Sequence, residues 1–167
     1  MSLIYNIKVI VIVKVGWSDY NMNTFEKNVK IKLTSTIRPT DGETENYEMW
    51  LNGSFIEKSG KAYLRYTEVH EDQTVKTTVK LGSEQALILR NGAVNMRLPF
   101  SRDHIENGHY ETQMGTLPIN TNTHSLIHEE NSELNVISGK FKVQYDLIIS
   151  GQPVGKYTLE IQYSEGQ

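Results

Sequence analysis

Ala86–Phe100 reads ALILRNGAVNMRLPF, with Asn91-Gly92 set between two runs of alternating apolar and polar residues. Alternation of period two puts successive side chains on opposite faces of a strand. Asn-Gly supplies the two positive-φ residues that a type I′ hairpin turn demands. The segment therefore predicts an antiparallel hairpin turning at Asn91-Gly92, and the question becomes how far the same pattern extends.

It extends both ways. Upstream, NVKIKLTSTIRPTDG places Val29, Ile31, Leu33, Ser35 and Ile37 on one face and stops at Pro39, Asp41 and Gly42, residues suited to a turn. In ETENYEMWLNGSFIEKSG, Tyr47, Met49 and Leu51 alternate with Glu48 and Trp50, and Asn52-Gly53 marks a turn or bulge. KAYLRYTEVHEDQTVKTTVKLG predicts a hairpin turning over Glu71–Gln73. Leu64, Tyr66 and Glu68 share one face, and Val75, Thr77 and Val79 alternate with Lys76, Thr78 and Lys80.

Downstream, Ser101–Tyr110 is a polar, acidic loop, and GHYETQMGTLPINTNT (Gly108–Thr123) reads as an unusually polar strand. The tail is cut by Ser138-Gly139 and Ser150-Gly151 into long strands, with Phe141, Val143 and Tyr145 alternating, then Tyr157, Leu159 and Ile161. The last two strands should pair as a hairpin. No convincing amphipathic helix interrupts the series. The class is all-β, and eight to ten consecutive strands with short turns favour an antiparallel up-and-down barrel, which closes the sheet and removes its edges. An open sandwich is the alternative.

Bulk properties narrow the function classes. The 167 residues carry 17 Lys+Arg against 20 Asp+Glu, a net charge of -3, so no basic excess serves a phosphate backbone and no nucleic-acid partner is expected. Zero cysteines remove disulfides, thiolate catalysis and Cys-type zinc sites, and fit a cytoplasmic location. The most apolar run, IKVIVIVKV (Ile7–Val15), is too short for the roughly 20 residues of a membrane span, and its bracketing Lys8 and Lys14 do not suit a secretory signal. Residues 1–21 are read as an N-terminal extension, either an extra strand or a non-native start ahead of Met22. Residues 22–167 are read as one barrel domain.

A family resemblance adds to this reading. GKAYLRYTE, ILRNGAVNMRLPF, YETQMG and the strand through Tyr145 and Leu147, in that order and spacing, resemble the uncharacterised bacterial YwiB-like family of calycin-like barrels. The matching positions are Gly60, Tyr63, Tyr66 and Glu68, then Arg90, Gly92, Met96 and Phe100, then Tyr110, Thr112 and Gly115. The resemblance runs from about Val29 to Tyr163. It implies a lipocalin-like or streptavidin-like barrel and implies no activity. Gln113 and Met114 depart from the Pro and aromatic expected before the last glycine, which puts in doubt any role for an aromatic there.

Catalytic and metal constellations are thin. His124 and His128 have a chelating spacing on a helix, but on a strand they stand ~13 Å apart. His104 and His109 flank Asn107-Gly108 and could converge only through loop geometry. No G-x-S-x-G nucleophile elbow occurs, and the neighbours Glu129-Glu130 and Glu71-Asp72 point apart on a strand or into solvent at a turn. Walker and dinucleotide glycine patterns are missing. No catalytic residue, metal site or cofactor is therefore assigned, and the expectation leans away from an enzyme.

What remains is a polar set able to line a barrel interior or rim: Tyr66, Glu68, Lys80, Arg90, Arg97, Tyr110 and Thr112. If Leu64 faces the core, Tyr66 and Glu68 face it too, and an inward carboxylate needs a partner because burial alone is costly. Arg90, sharing parity with Ile88, is the candidate. The competing reading is a structural pair or a solvated rim. Thr112, Thr116, Asn120 and Asn122 share a face that is polar whether it lines a cavity or meets water. Three functions follow in order: a non-catalytic cytoplasmic barrel for a small ligand or peptide; an interaction module using an outer face, edge or homodimer contact through residues such as Trp17, Trp50 or Tyr47; and an unrecognised enzyme.

Overall fold

The structure, a computed structural model, describes residues 24–166; the expectations for residues 1–21 and for Trp17 lie outside them. Ten strands follow one another: β1 (Thr24–Pro39), β2 (Glu45–Lys58), β3 (Lys61–His70), β4 (Gln73–Lys80), β5 (Gln85–Gly92), β6 (Asn95–Ser101), β7 (Glu106–Thr112), β8 (Gly115–Asn131), β9 (Ser138–Ile149) and β10 (Gln152–Glu165). Each pairs antiparallel with its neighbours in sequence, and β1 pairs with β10 to close the barrel. The all-β class and the up-and-down barrel are as the alternation predicts. One 3₁₀ turn, Glu133–Asn135, bridges β8 and β9. No helix among the described residues is long and apolar enough to cross a membrane.

Alternation assigns the faces. Val29, Ile31 and Leu33 of β1 are buried while Lys30 is exposed. Phe141, Val143 and Tyr145 of β9 point inward beside Ile161 and Tyr163 of β10. The predicted β9–β10 and β3–β4 hairpins both form.

Asn-Gly did not behave as predicted. Its three occurrences, Asn52-Gly53, Asn91-Gly92 and Asn107-Gly108, all lie inside strands. A Cβ at Gly53 would collide with the Arg65 carbonyl oxygen and Ile31 Cδ1; one at Gly92 would meet the Thr74 carbonyl, and one at Gly108 the Arg97 carbonyl. At Gly53 and Gly108 close approach between neighbouring strands requires glycine; at Gly92 the positive φ of 121° at the start of the β5–β6 connection requires it as well. Ser59-Gly60 and Ser150-Gly151, with φ of 53° and 74°, and 50° and 78°, are the pairs that turn.

The β5–β6 connection shows the consequence. Asn91 does not take positive φ, so no type I′ turn forms there. Gly92 N–H donates to Asn95 Oδ1 at 3.2 Å, Asn95 Nδ2 donates back to Gly92 O at 3.2 Å, and Arg90 pairs with Met96. A turn at Asn91-Gly92 would align Arg90 with Ala93. The observed register differs by an odd number of residues, which reverses the faces of β6. Met96, Leu98 and Phe100 therefore face inward, and Arg97 outward.

Two further boundaries move. Half of the expected Ser101–Tyr110 loop is β7, and Gly108–Thr123 is a hairpin turning at Gln113-Met114 rather than one strand. In β8, Ile119 and Thr121 are buried, and Thr116, Asn120 and Asn122 occupy the opposite face, toward solvent.

A mostly apolar cavity with an ion pair at one end of the barrel

The interior is filled unevenly. Toward the end carrying the β2–β3 and β8–β9 connections, Phe55, Phe141, Phe100, Leu64 and Ile161 are fully buried, and Phe55 stacks on Tyr163 at 5.6 Å between ring centres. Toward the other end, where β1 leads into β2 and β5 into β6, a cavity of about 480 Å³ opens. That volume lies within the range of small-molecule sites, roughly 300–1,000 Å³.

Aliphatic and Met side chains such as Leu33, Ile37, Met49, Met96 and Leu159 form most of its wall. Polar groups enter on one side from β3, β4 and β5. Tyr66, Glu68, Thr77 and Arg90 all line the cavity because each shares parity with a core residue: Leu64 on β3, Val79 on β4, Ile88 on β5. Arg90 Nη2 donates to Glu68 Oε2 at 3.1 Å, with the side chains 29% and 12% exposed. The inward carboxylate thus has the partner its parity called for.

From the opposite wall come Tyr145 and Tyr157, stacked at 5.3 Å with an 18° interplanar angle. Burial, aided by Tyr157, pushes the Tyr145 phenol well above its usual range, against the lowering effect of Arg90. Tyr66 is raised likewise, first by burial and then by Glu68, with Arg90 and Thr77 opposing. Tyr157 is raised by burial and by Glu45 at the rim, where Tyr47 O–H donates to Glu45 Oε2 at 3.1 Å. At neutral pH these phenols stay protonated and serve as hydrogen-bond donors and acceptors rather than as bases.

Thr77 is the anomaly. It is 1% exposed, and its hydroxyl, near enough to Tyr66 to favour the phenolate, makes no hydrogen bond of adequate geometry. Thr121, equally buried on β8, donates its hydroxyl to the Pro99 carbonyl.

Of the seven side chains expected to line the interior or rim, Tyr66, Glu68 and Arg90 come together in the cavity. Tyr110 stands opposite Met96 and packs, half-buried, against the core outside the lining. Lys80 and Arg97 do not reach the cavity: they flank a shallow outer cleft with Gln85 and Glu106, and Arg97 Nη1 donates to the Asn107 carbonyl. Lys80 is outward because Val79 is inward; Arg97 is outward because of the β5–β6 register. Thr112 closes the β7–β8 turn, donating to Gly115 O at 2.8 Å and accepting from Met114 N–H. Thr77, Tyr145 and Tyr157 join the lining unexpectedly, although their parity with Val79, Val143 and Leu159 is legible in the sequence.

The histidines are scattered. His124 contacts Asp146 at 2.8 Å, His128 the Tyr163 hydroxyl at 2.9 Å, and His104 Glu106 at 2.8 Å. No three metal-ligating side chains converge among the described residues. Tyr47 and Trp50 fall on opposite faces of β2, so they form no common patch; Trp50, 70% exposed, lies under Lys32 Nζ at 5.3 Å.

A closed ten-stranded antiparallel barrel, packed at one end and hollowed at the other around an ion pair, is the class this geometry defines. Residues 31–161 match the family described as Domain of unknown function (DUF1934), and the chain belongs to that family. It is 30% identical over 141 residues to the uncharacterized beta-barrel protein YwiB of Bacillus subtilis (strain 168), covering 84% of this chain and 96% of that protein. The crystal structure of ywiB protein from Bacillus subtilis superposes with a TM-score of 0.74 at 28% identity, covering 88% of this chain and 98% of that one.

Proposed function

We propose that the protein is a non-catalytic barrel that holds one small molecule in the cavity between β1–β6 and β9–β10. The observation that carries this reading is the coexistence of a largely apolar cup with a few convergent polar groups, one of them the unpartnered Thr77 hydroxyl. A barrel filled along its whole length would have no room for a ligand. Binding rather than catalysis is favoured because the inward carboxylate and guanidinium are already paired with each other and the phenols are held protonated. A cysteine-free chain suits a reducing cytoplasm, where we place it.

Native mass spectrometry tests this. Protein purified without denaturation from the cells that make it should carry extra mass that is lost on unfolding, and Glu68→Gln or Arg90→Ala should release it. A bare chain at monomer or dimer mass would sink the reading.

A further inference from the structure

The charge balance of the cavity says what kind of head group it accepts. Its interior charges are Glu68 and Arg90, joined by a single hydrogen bond at 3.1 Å. Glu45 stands at the rim, engaged by Tyr47. An incoming carboxylate would compete with Glu68 for Arg90 and face Glu45 as well; an incoming ammonium would compete with Arg90 for Glu68. Either would break the pair or leave a third, uncompensated charge beside it, which is strongly unfavourable in a mostly apolar surround.

An uncharged head leaves the pair intact. Hydrogen-bonding capacity of both senses remains: the Thr77 hydroxyl, unpaired within the barrel, can donate and accept, and Arg90 and Glu68, joined by one hydrogen bond, keep further N–H groups and an oxygen. A hydroxyl or amide answers both senses at once. The rest of the wall, with Leu33, Ile37, Met49, Met96 and the stacked Tyr145–Tyr157 pair, calls for an apolar or aromatic body.

We propose that the cavity is specific for an uncharged amphiphile, an apolar or aromatic body ending in a hydroxyl or amide that hydrogen-bonds to Thr77 beside the intact Glu68–Arg90 pair. The inference rests on the ligand-holding reading above and goes beyond it in naming the chemistry.

The test keeps one body and varies the head: naphthalene-2-carboxamide, naphthalene-2-carboxylate, naphthalen-2-ylmethylammonium and 2-methylnaphthalene, titrated against the full chain by ligand-observed NMR. The carboxamide should bind at least about tenfold more tightly than either ion, because each ion either breaks the pair or adds an uncompensated charge to a mostly apolar cavity. Thr77→Val should lower carboxamide affinity to that of 2-methylnaphthalene and leave 2-methylnaphthalene unchanged. Preference for the carboxylate or ammonium would overturn the head-group assignment while keeping the barrel as a ligand holder. Equal binding of carboxamide and 2-methylnaphthalene, or a Thr77→Val protein that binds carboxamide as before, would overturn it too. Failure of all four to bind would bring down both readings.

Discussion

The two ends of this barrel are built by the same strands and the same alternation, yet one is solid and the other hollow. At the solid end the inward positions are Phe55, Phe100 and Phe141, all fully buried with Tyr163 and Ile161, and Phe55 stacks on Tyr163. At the hollow end the inward positions are Met49, Met96, Tyr66, Glu68, Thr77 and Arg90, which leave about 480 Å³ unfilled. Backbone geometry sets which residues face in; side-chain volume and polarity then decide whether the interior is core or site. The difference teaches that one alternation can build a packed core and a hollow within a single barrel, and substitutions at the two ends should differ in size and in kind.

The largest contrast lies between the two stacked aromatic pairs. Phe55→Ala removes a fully buried ring and leaves a closed void, so it should cost about 3–5 kcal/mol. Tyr157→Ala removes a half-buried ring from the wall of an existing cavity and should cost under about 2 kcal/mol, because the lost contacts already face open space. Urea denaturation measures both. Equal losses would mean that the hollow end is as tightly packed as the solid one.

Alkaline pH acts on both ends. Burial raises the phenols of Tyr66 and Tyr145 at one end and of Tyr163 at the other, where Glu130 adds to the effect. A folded-state value above the unfolded one gives stability that is fully present below the unfolded pKa of about 10 and is lost as pH rises through the folded value. Melting temperature should therefore fall as pH climbs past 10, and phenolate absorbance from these three should appear only with unfolding. A Tyr66 that titrates in the native barrel, ahead of Tyr163, would show that solvent reaches the cavity floor.

The ion pair comes next. Glu68→Gln or Arg90→Met removes one partner of a pair that is mostly but not fully buried, and each should destabilise by about 1–2 kcal/mol. The double substitution should cost less than the sum of the two, with the coupling read from a double-mutant cycle. Additive losses would mean that the two charges are solvated independently.

How much of this is legible in the sequence depends on which rule governs each residue. Alternation is local, so spacing alone places Leu64, Tyr66 and Glu68 on one inward face and Arg90 beside Ile88. Register is not local. The β6 face depends on the length of the connection, and Asn91-Gly92 opens a longer one, in which Arg90 pairs with Met96, than the two-residue turn the dipeptide predicts. Arg97 is misplaced for that reason. Lys80 is a different case, since its outward face already follows from Val79. The hollow itself is not legible, because a cavity is a property of all facing strands at once.

The smallest effect is the most discriminating. Thr77 and Thr121 are isosteric with valine, both are essentially inaccessible, and both lie on inward faces of the barrel. Thr121 donates to Pro99, so Thr121→Val leaves a buried carbonyl without its donor and should cost about 1 kcal/mol. Thr77 makes no hydrogen bond of adequate geometry, so Thr77→Val replaces a buried, unpaired hydroxyl by a methyl and should be neutral or stabilising by up to about 1 kcal/mol. The same chemical change should therefore move the urea midpoint in opposite directions. Ligand reverses the comparison only for Thr77: with naphthalene-2-carboxamide bound, the parent protein should gain stability and the Thr77→Val protein should gain less, by linkage. If both substitutions destabilise equally without ligand, the Thr77 hydroxyl already has a partner within the barrel, and the proposed head-group contact loses its basis.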